Sequence, residues 1–486
     1  MSRRARSAGH AACLAAAALL ALLGGADPAS AHAFAQRYDL PLPLWHYLVG
    51  AGAAVALSFA ALAMARSSPL AGRPARIAML TIAAPAAVAG AHVTRAIGIA
   101  SLALLLAAGF VGPRGDWDSN LLPVAIWIIW WVGLAFACAL IGDVWRLLDP
   151  WRGLAALAGL RDPIRSQRPW SGPAAENAWP AVALFMAFSW AELVWPGNAD
   201  PRRLGALVVA YGTLSLAATI AIGPSRWRRS CDPFARFFDL FARCAPIGAL
   251  RLPGGRVVIV LRVPGGGLAA TGLPSASQAG FVILALSTVA FDGFAETPAW
   301  EGITGAAHAG LYATGFIHAF GYATTGALVK SVGLVAAPLA FLAAYGLACA
   351  ATGRIAGEAT GRTIRRFSLS LVPIAVGYHL AHYLAYLLIQ GQAALPLITD
   401  PLGLGWDLFG TRGREIDIGV IDAGTVWLVA VAAIVAGHAA SVALADIAAR
   451  RAYGARAVGS QVPLAALMVG YTMFSLWILS QPIVNV

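Results

Sequence analysis

Residues 121–157 read LLPVAIWIIWWVGLAFACALIGDVWRLLDPWRGLAAL. From Leu121 to Gly142 there is no charged side chain, and about 20 apolar helical residues cross the hydrocarbon core of a bilayer. Asp143 then opens a connection that carries Arg146 and Arg152. Short arginine-rich connections stay on the cytoplasmic side of a membrane. An apolar run closed by a basic loop is therefore read as one crossing with its orientation attached.

The same unit recurs along the chain. Runs of membrane length fall near 44–65, 95–112, 121–142, 178–196, 204–222, 276–295, 332–352, 367–389, 424–446 and 464–482. The loops after the first, third, fifth, seventh and ninth runs hold most of the arginine, among them Arg66, Arg73 and Arg76, Arg226 to Arg262, and Arg362, Arg365 and Arg366. The alternate loops hold few basic residues: Arg114, Arg202, Arg203, Lys330, Arg412 and Arg414. The segment 77–92 is also apolar, but counting it as a full crossing would invert every later loop. It is read as re-entrant at most. The expected fold is all-α: a polytopic bundle of about ten spans in a bacterial inner membrane, with the mature N-terminus and the C-terminus in the periplasm.

Composition agrees. Of 486 residues, 59 % are hydrophobic and 12 % charged, against about 25 % charged in soluble proteins. The net charge of +12 is carried almost wholly by arginine, Lys330 being the sole lysine. Because those arginines sit in short loops between apolar runs, they set topology, and nucleic acid is not expected as a partner. The bilayer is. Of the five cysteines, Cys138 and Cys349 fall inside apolar runs, and no CxxC pair or disulfide framework is present.

Residues 1–31 have the form of a signal peptide: Arg3, Arg4 and Arg6, an apolar stretch from Ala11 to Leu23, and Ala29 and Ala31 at a small-x-small site. Cleavage there leaves 32–486 as the membrane domain and makes His32 its first residue. An uncleaved anchor is the other reading; only cleavage frees the amine.

Two basic loops resemble each other. DVWRLLDPWRGLAAL at 143–157 and SRWRRSCDPFARFFDLFAR at 225–243 each place Trp before Asp-Pro-aromatic. Asp149 and Asp232 suit helix N-caps, with Pro150 and Pro233 at the first helical position. The runs that follow are read as helices lying on the membrane surface. The Gly pairs of 251–267 suggest a short hairpin. No GxxxxGK[ST], G-x-S-x-G or HExxH motif is present, so nothing marks an enzyme.

Histidine carries the chemistry. Ionisable residues within spans are costly and are functional candidates. His379 and His382, three apart, share a helix face. They could hold a metal together, and imidazole suits copper, zinc, iron and nickel. A free His32 would chelate copper through its amine and ring, completed by His308, His318 or His46. Alternatively His379, His382 and His438 would ligate haem b or border a quinone in a respiratory-complex subunit. Asp292 and Glu296, at the outer end of the sixth run, would guide cations or form an ordinary solvated rim.

The start ASAHAF resembles periplasmic copper-binding proteins whose mature chain begins with histidine. HAFAQRYDLPLPLW, with YHLAHYLAYLLIQGQ and the DPW and DPF loops, is similar to a family of uncharacterised bacterial polytopic membrane proteins. That resemblance implies the polytopic fold and no activity. The functional expectation is transport or handling of a transition metal, copper foremost, loaded from the periplasm by a metal carrier. The alternatives are the haem or quinone subunit and a permease for an organic solute.

Overall fold

The computed structural model describes residues 42–65, 76–160 and 177–481. His32 and the proposed cleavage site lie outside them, as do Arg66, Arg73 and Cys13.

The described chain is a helical bundle with one small sheet. Its elements, in order, are α1 (Leu44–Met64), β1 (Arg76–Ile82), α2 (Ala84–Val111), α3 (Leu121–Ile141), α4 (Pro150–Leu157), α5 (Trp179–Leu193) and α6 (Pro201–Ile222). Then come α7 (Pro233–Ala242), β2 (Ile247–Arg251), β3 (Val257–Arg262), α8 (Ala276–Ala295), α9 (Pro298–Ala313), α10 (Tyr322–Ala356) and α11 (Thr360–Ser368). The last three are α12 (Val372–Ile389), α13 (Ala423–Tyr453) and α14 (Ala457–Ser480). Among the described residues, eight helical stretches are long and apolar enough to cross a membrane, and α5 is a shorter apolar helix. The last stretch, Ala423–Ser480, is a hairpin. Gln461 Nε2 donates to Asp446 Oδ1 and Ser441 Oγ to Met468 Sδ, so α13 and α14 run antiparallel. The chain is built as a multi-pass integral membrane protein.

Hydrogen bonds tie alternate connections together on one face. β1 pairs antiparallel with β3, and β3 with β2. Arg228 and Asp143 stand 3.5 Å apart. Arg365 Nε donates to the Pro274 carbonyl at 2.7 Å, Arg451 to that of Ala269 at 2.7 Å, and Arg450 to that of Leu62 at 2.6 Å. The connections after α1, α3, α6, α10 and α13 thus share what we call the arginine face. The opposite face carries contacts such as Trp127 Nε1 to the Asn198 carbonyl, 2.8 Å.

Several boundaries differ from the sequence expectation. The second span begins at Ala84, not near 95, and its approach is strand β1. Segment 77–92 is therefore neither a crossing nor a re-entrant helix. It divides between an edge strand and the first turns of α2. The span expected at 332–352 begins at Tyr322, and the loop before it is largely helical, as α9 and the short helix Phe316–Phe320.

The DPF helix departs most. Asp232 caps α7 by accepting from Phe234 N and Ala235 N, and Tyr211 donates its hydroxyl to the same oxygen at 3.0 Å. Yet α7 does not lie on the surface: Phe234, Phe237, Phe238 and Phe241 are all buried, and so is Arg236. These four phenylalanines, spaced i, i+3, i+4 and i+7, form one apolar stripe, and the stripe packs against neighbouring helices instead of lipid. It inserts from the arginine face against α3, and its rings join Trp130, Trp131 and Phe185 in the main core. α4 is likewise wedged inward. Its Gly153 meets Ile99 of α2, and Trp151 covers Gly212 of α6.

A half-buried knot holds the arginine face near α10 and α11. Glu358 accepts from Arg366 (Nε, 3.0 Å) and from the Tyr453 hydroxyl (2.6 Å), with Thr363 beside them. Burial pushes this carboxyl up, but the Arg366, Tyr453 and Thr363 hydrogen bonds outweigh it and hold the group below its ordinary value. A depressed carboxylate stabilises the fold above its unfolded pKa, and that contribution is lost as pH falls through the folded value. Glu358→Gln is expected to cost ~2 kcal/mol at neutral pH and to flatten the acid limb of thermal stability in detergent. An unchanged pH profile would contradict this.

Candidate functional site

The site forms where α8 and α5 end toward the face opposite the arginines, beside the middle turns of α12. α8 starts at a capping box on the arginine face, Ser275 with Gln278, so its last turns bring Asp292 and Glu296 near the other side. α12 runs from the arginine face past α13, and its middle turns carry Tyr378, His379, His382 and Tyr383. The two chains of residues meet side by side. His382 Nε2 lies 3.1 Å from Asp292 Oδ2, and the Tyr383 hydroxyl donates to that same oxygen at 2.5 Å. Among the described residues, one group of three or more metal-capable side chains converges. It comprises Asp292, Glu296 and His382, with one ligand atom from each, all within 4.8 Å of one another. Asp292 is buried; Glu296 and His382 are partly exposed.

Gly293 makes this meeting possible. A Cβ there would stand 2.5 Å from the Tyr378 hydroxyl and 3.5 Å from His382 Cε1.

One helical turn toward the arginine face the environment changes. His379 is enclosed by the rings of Trp131, Phe136, Phe237, Phe241 and Tyr383, at centroid distances of 6.0, 5.5, 6.1, 5.5 and 4.7 Å. Its Nε2 is buried without a protein hydrogen-bond partner. Beside it lies a cavity of about 10 Å³, lined by Glu192, Asp292, Thr288 and Tyr383. That is room for about one water. Trp131 belongs to a π-helical stretch of α3, Val124–Gly133, a wider winding often found at functional sites. Two rings of the inserted α7 therefore close the space below the carboxylates.

The other sequence candidates lie apart. His308 on α9 faces Tyr322, ring centroids 6.0 Å apart, and His318 sits beside Tyr312 at 4.8 Å. Neither joins the cluster, and neither does His379. His46 opens α1 in an exposed position, stacked on Trp45. His438 on α13 is fully buried, its Nδ1 2.8 Å from the Ile434 carbonyl. Between α12 and α13 the backbones touch: a Cβ on Gly377 would lie 2.5 Å from the Ala433 carbonyl oxygen, and one on Gly437 2.6 Å from that of Pro373. Among the described residues, that contact leaves no slot for a porphyrin between the two helices.

The sequence reading had Asp292 and Glu296 either guiding cations or forming a solvated rim, and it missed Glu192. The signal for Glu192 was a carboxylate inside an otherwise apolar run, FSWAELVW. No family model, no curated protein and no solved structure matches this chain.

Proposed function

We propose that this chain is a membrane transporter for a divalent transition-metal ion, which it takes up at Asp292, Glu296 and His382 from the periplasmic side of the inner membrane. The observation that carries the reading is the convergence of those three ligand groups, drawn from two spans. Two carboxylates and one imidazole within a bundle are expensive to bury unless they are paired or coordinate a cation. The donor set is oxygen-rich and contains no thiolate or thioether. It suits Zn²⁺, Mn²⁺ or Fe²⁺, and Cu²⁺ by its nitrogen ligand, rather than Cu⁺. Copper capture by His32 remains the companion proposal, tested by Cu²⁺ uptake in the same assay with His32→Ala, which should lower it.

In this reading Tyr383 orients Asp292 by donating to Oδ2. The arriving cation replaces the contact between His382 Nε2 and that oxygen. Bound metal needs the neutral imidazole and the ionised carboxylates, so binding releases protons and weakens in acid. Onward passage requires Phe237 and Phe241 to leave His379, which makes α7 the moving part.

The test is uptake into proteoliposomes of Zn²⁺, Mn²⁺, Fe²⁺ and Cu²⁺, each offered singly. Protein is expected to raise uptake of at least one ion roughly ten-fold over empty vesicles, and His382→Gln to return it to background. A folded, correctly inserted protein that moves none of the four contradicts the proposal.

A further inference from the structure

A second, larger cavity of about 500 Å³ opens on the arginine face between α2, α4 and α6. The two Asp-Pro motifs converge there, and nothing in the metal reading uses it. We propose that this cavity binds a phosphate-bearing anion, the head of an acidic phospholipid, through Arg95, Arg152 and Arg228.

The walls divide by chemistry. Arg95 of α2, Arg152 of α4 and Arg228 supply positive charge; Ser215 and Thr219 of α6 supply hydroxyls, and the His92 ring lines the same wall. Asp149 and Asp232 also line it, but they are occupied. Asp149 accepts from Trp151 N and Arg152 N, and Asp232 from two backbone N–H groups and from Tyr211. Burial and then the neighbouring Asp232 push the Asp149 carboxyl up to about 7, and burial raises the Asp232 carboxyl as well. Burial and then Arg228, Arg146 and Arg95 pull the Arg152 guanidinium down to about 10. Guanidiniums crowded this closely repel one another, and an anion among them removes the repulsion. Arg228 pairs with Asp143 at 3.5 Å and Arg152 with the Arg146 carbonyl at 2.9 Å. Arg95 has no ion pair among the described residues. Planar guanidiniums match phosphate oxygens two at a time.

The other walls are apolar: Ile99, Trp151, Leu157 and Trp227. Leu157 is 77 % exposed. The cavity sits where α2 and α6 reach the arginine face, the depth at which a lipid presents its phosphate, with acyl chains running along the spans. That placement favours a lipid over a free ion.

The test is native mass spectrometry of the detergent-purified full chain. It is titrated with phosphatidylglycerol, with phosphatidylcholine and, separately, with inorganic phosphate. The wild type should prefer phosphatidylglycerol about ten-fold, and Arg95→Gln/Arg152→Gln should erase that preference, each basic group near the headgroups contributing several-fold. Arg256→Gln, an exposed arginine on the same face outside the cavity, should keep it. Leu157→Asp should weaken phosphatidylglycerol alone. Phosphate binding that is lost in the double variant, without a lipid preference, would keep the anion site and assign it to a free ion. Three results would overturn the proposal: no preference and no phosphate binding; a preference that survives the double variant in a chain of unchanged melting temperature; or equal loss in Arg256→Gln.

Discussion

Asp292→Asn is expected to weaken equilibrium binding of the transported cation by roughly a hundred-fold or more, since removing even an outer partner of a metal ligand costs 10–100-fold. The residue is central for two reasons. Its Oδ2 receives both His382 Nε2 and the Tyr383 hydroxyl, and it is the buried member of the ligand trio. Asparagine keeps the size and one acceptor but removes the charge that offsets a cation. The contrast that gives this weight is His308→Gln together with His318→Gln. Both lie away from the trio, and their loss should change affinity less than about two-fold. Competition binding in detergent checks both. Equal loss in the two sets would mean that His308 of α9 and His318 of the helix Phe316–Phe320 hold the metal as much as Asp292 does.

The largest effect on stability is expected at the contact of α12 with α13. Gly377 and Gly437 face each other there, and the backbone oxygens of Ala433 and Pro373 occupy the space a side chain would take. Small residues at such crossings let spans approach to backbone contact. Gly437→Leu cannot be absorbed by a rotamer change, because the obstacle is main chain. It should cost about 3 kcal/mol or more, at the upper end of overpacking. His382 rides on the displaced helix, so cation binding should fall with it. Gly470→Leu on α14 is the control: no atom lies within 4 Å of its Cβ position, and its melting temperature should stay close to wild type. A tolerated Gly437→Leu would mean that the helices do not meet there.

How far these features could be read from the sequence depends on their range. The spans were legible because bilayer thickness sets their length and loop arginine sets their alternation. The Asp-Pro caps of α4 and α7 were legible because capping is local: the side chain answers N–H groups two and three residues ahead. The burial of α7 was not legible. Arginine with aromatic residues suited a surface helix, and a stripe of Phe234, Phe237, Phe238 and Phe241 serves equally to face lipid or a neighbouring span. The start of α2 was missed because RIAMLTI is apolar enough for a helix, and its strand state depends on pairing with Val257–Arg262, far along the chain. The site was half legible. His382 stood out as an imidazole within a span, but its partner is 90 residues away. No periodicity reports such a pairing, and Asp292, near the end of its run, reads as a rim carboxylate until the fold turns it inward.

The account rests on the claim that Asp292, Glu296 and His382 together hold a cation, and metal content tests it most directly. Purified chain equilibrated with Zn²⁺ or Mn²⁺ should retain one ion per chain. X-ray absorption should show oxygen and nitrogen neighbours with a single imidazole, and Asp292→Asn/Glu296→Gln should retain none. An unchanged stoichiometry in that double variant, or sulfur in the coordination shell, would contradict it.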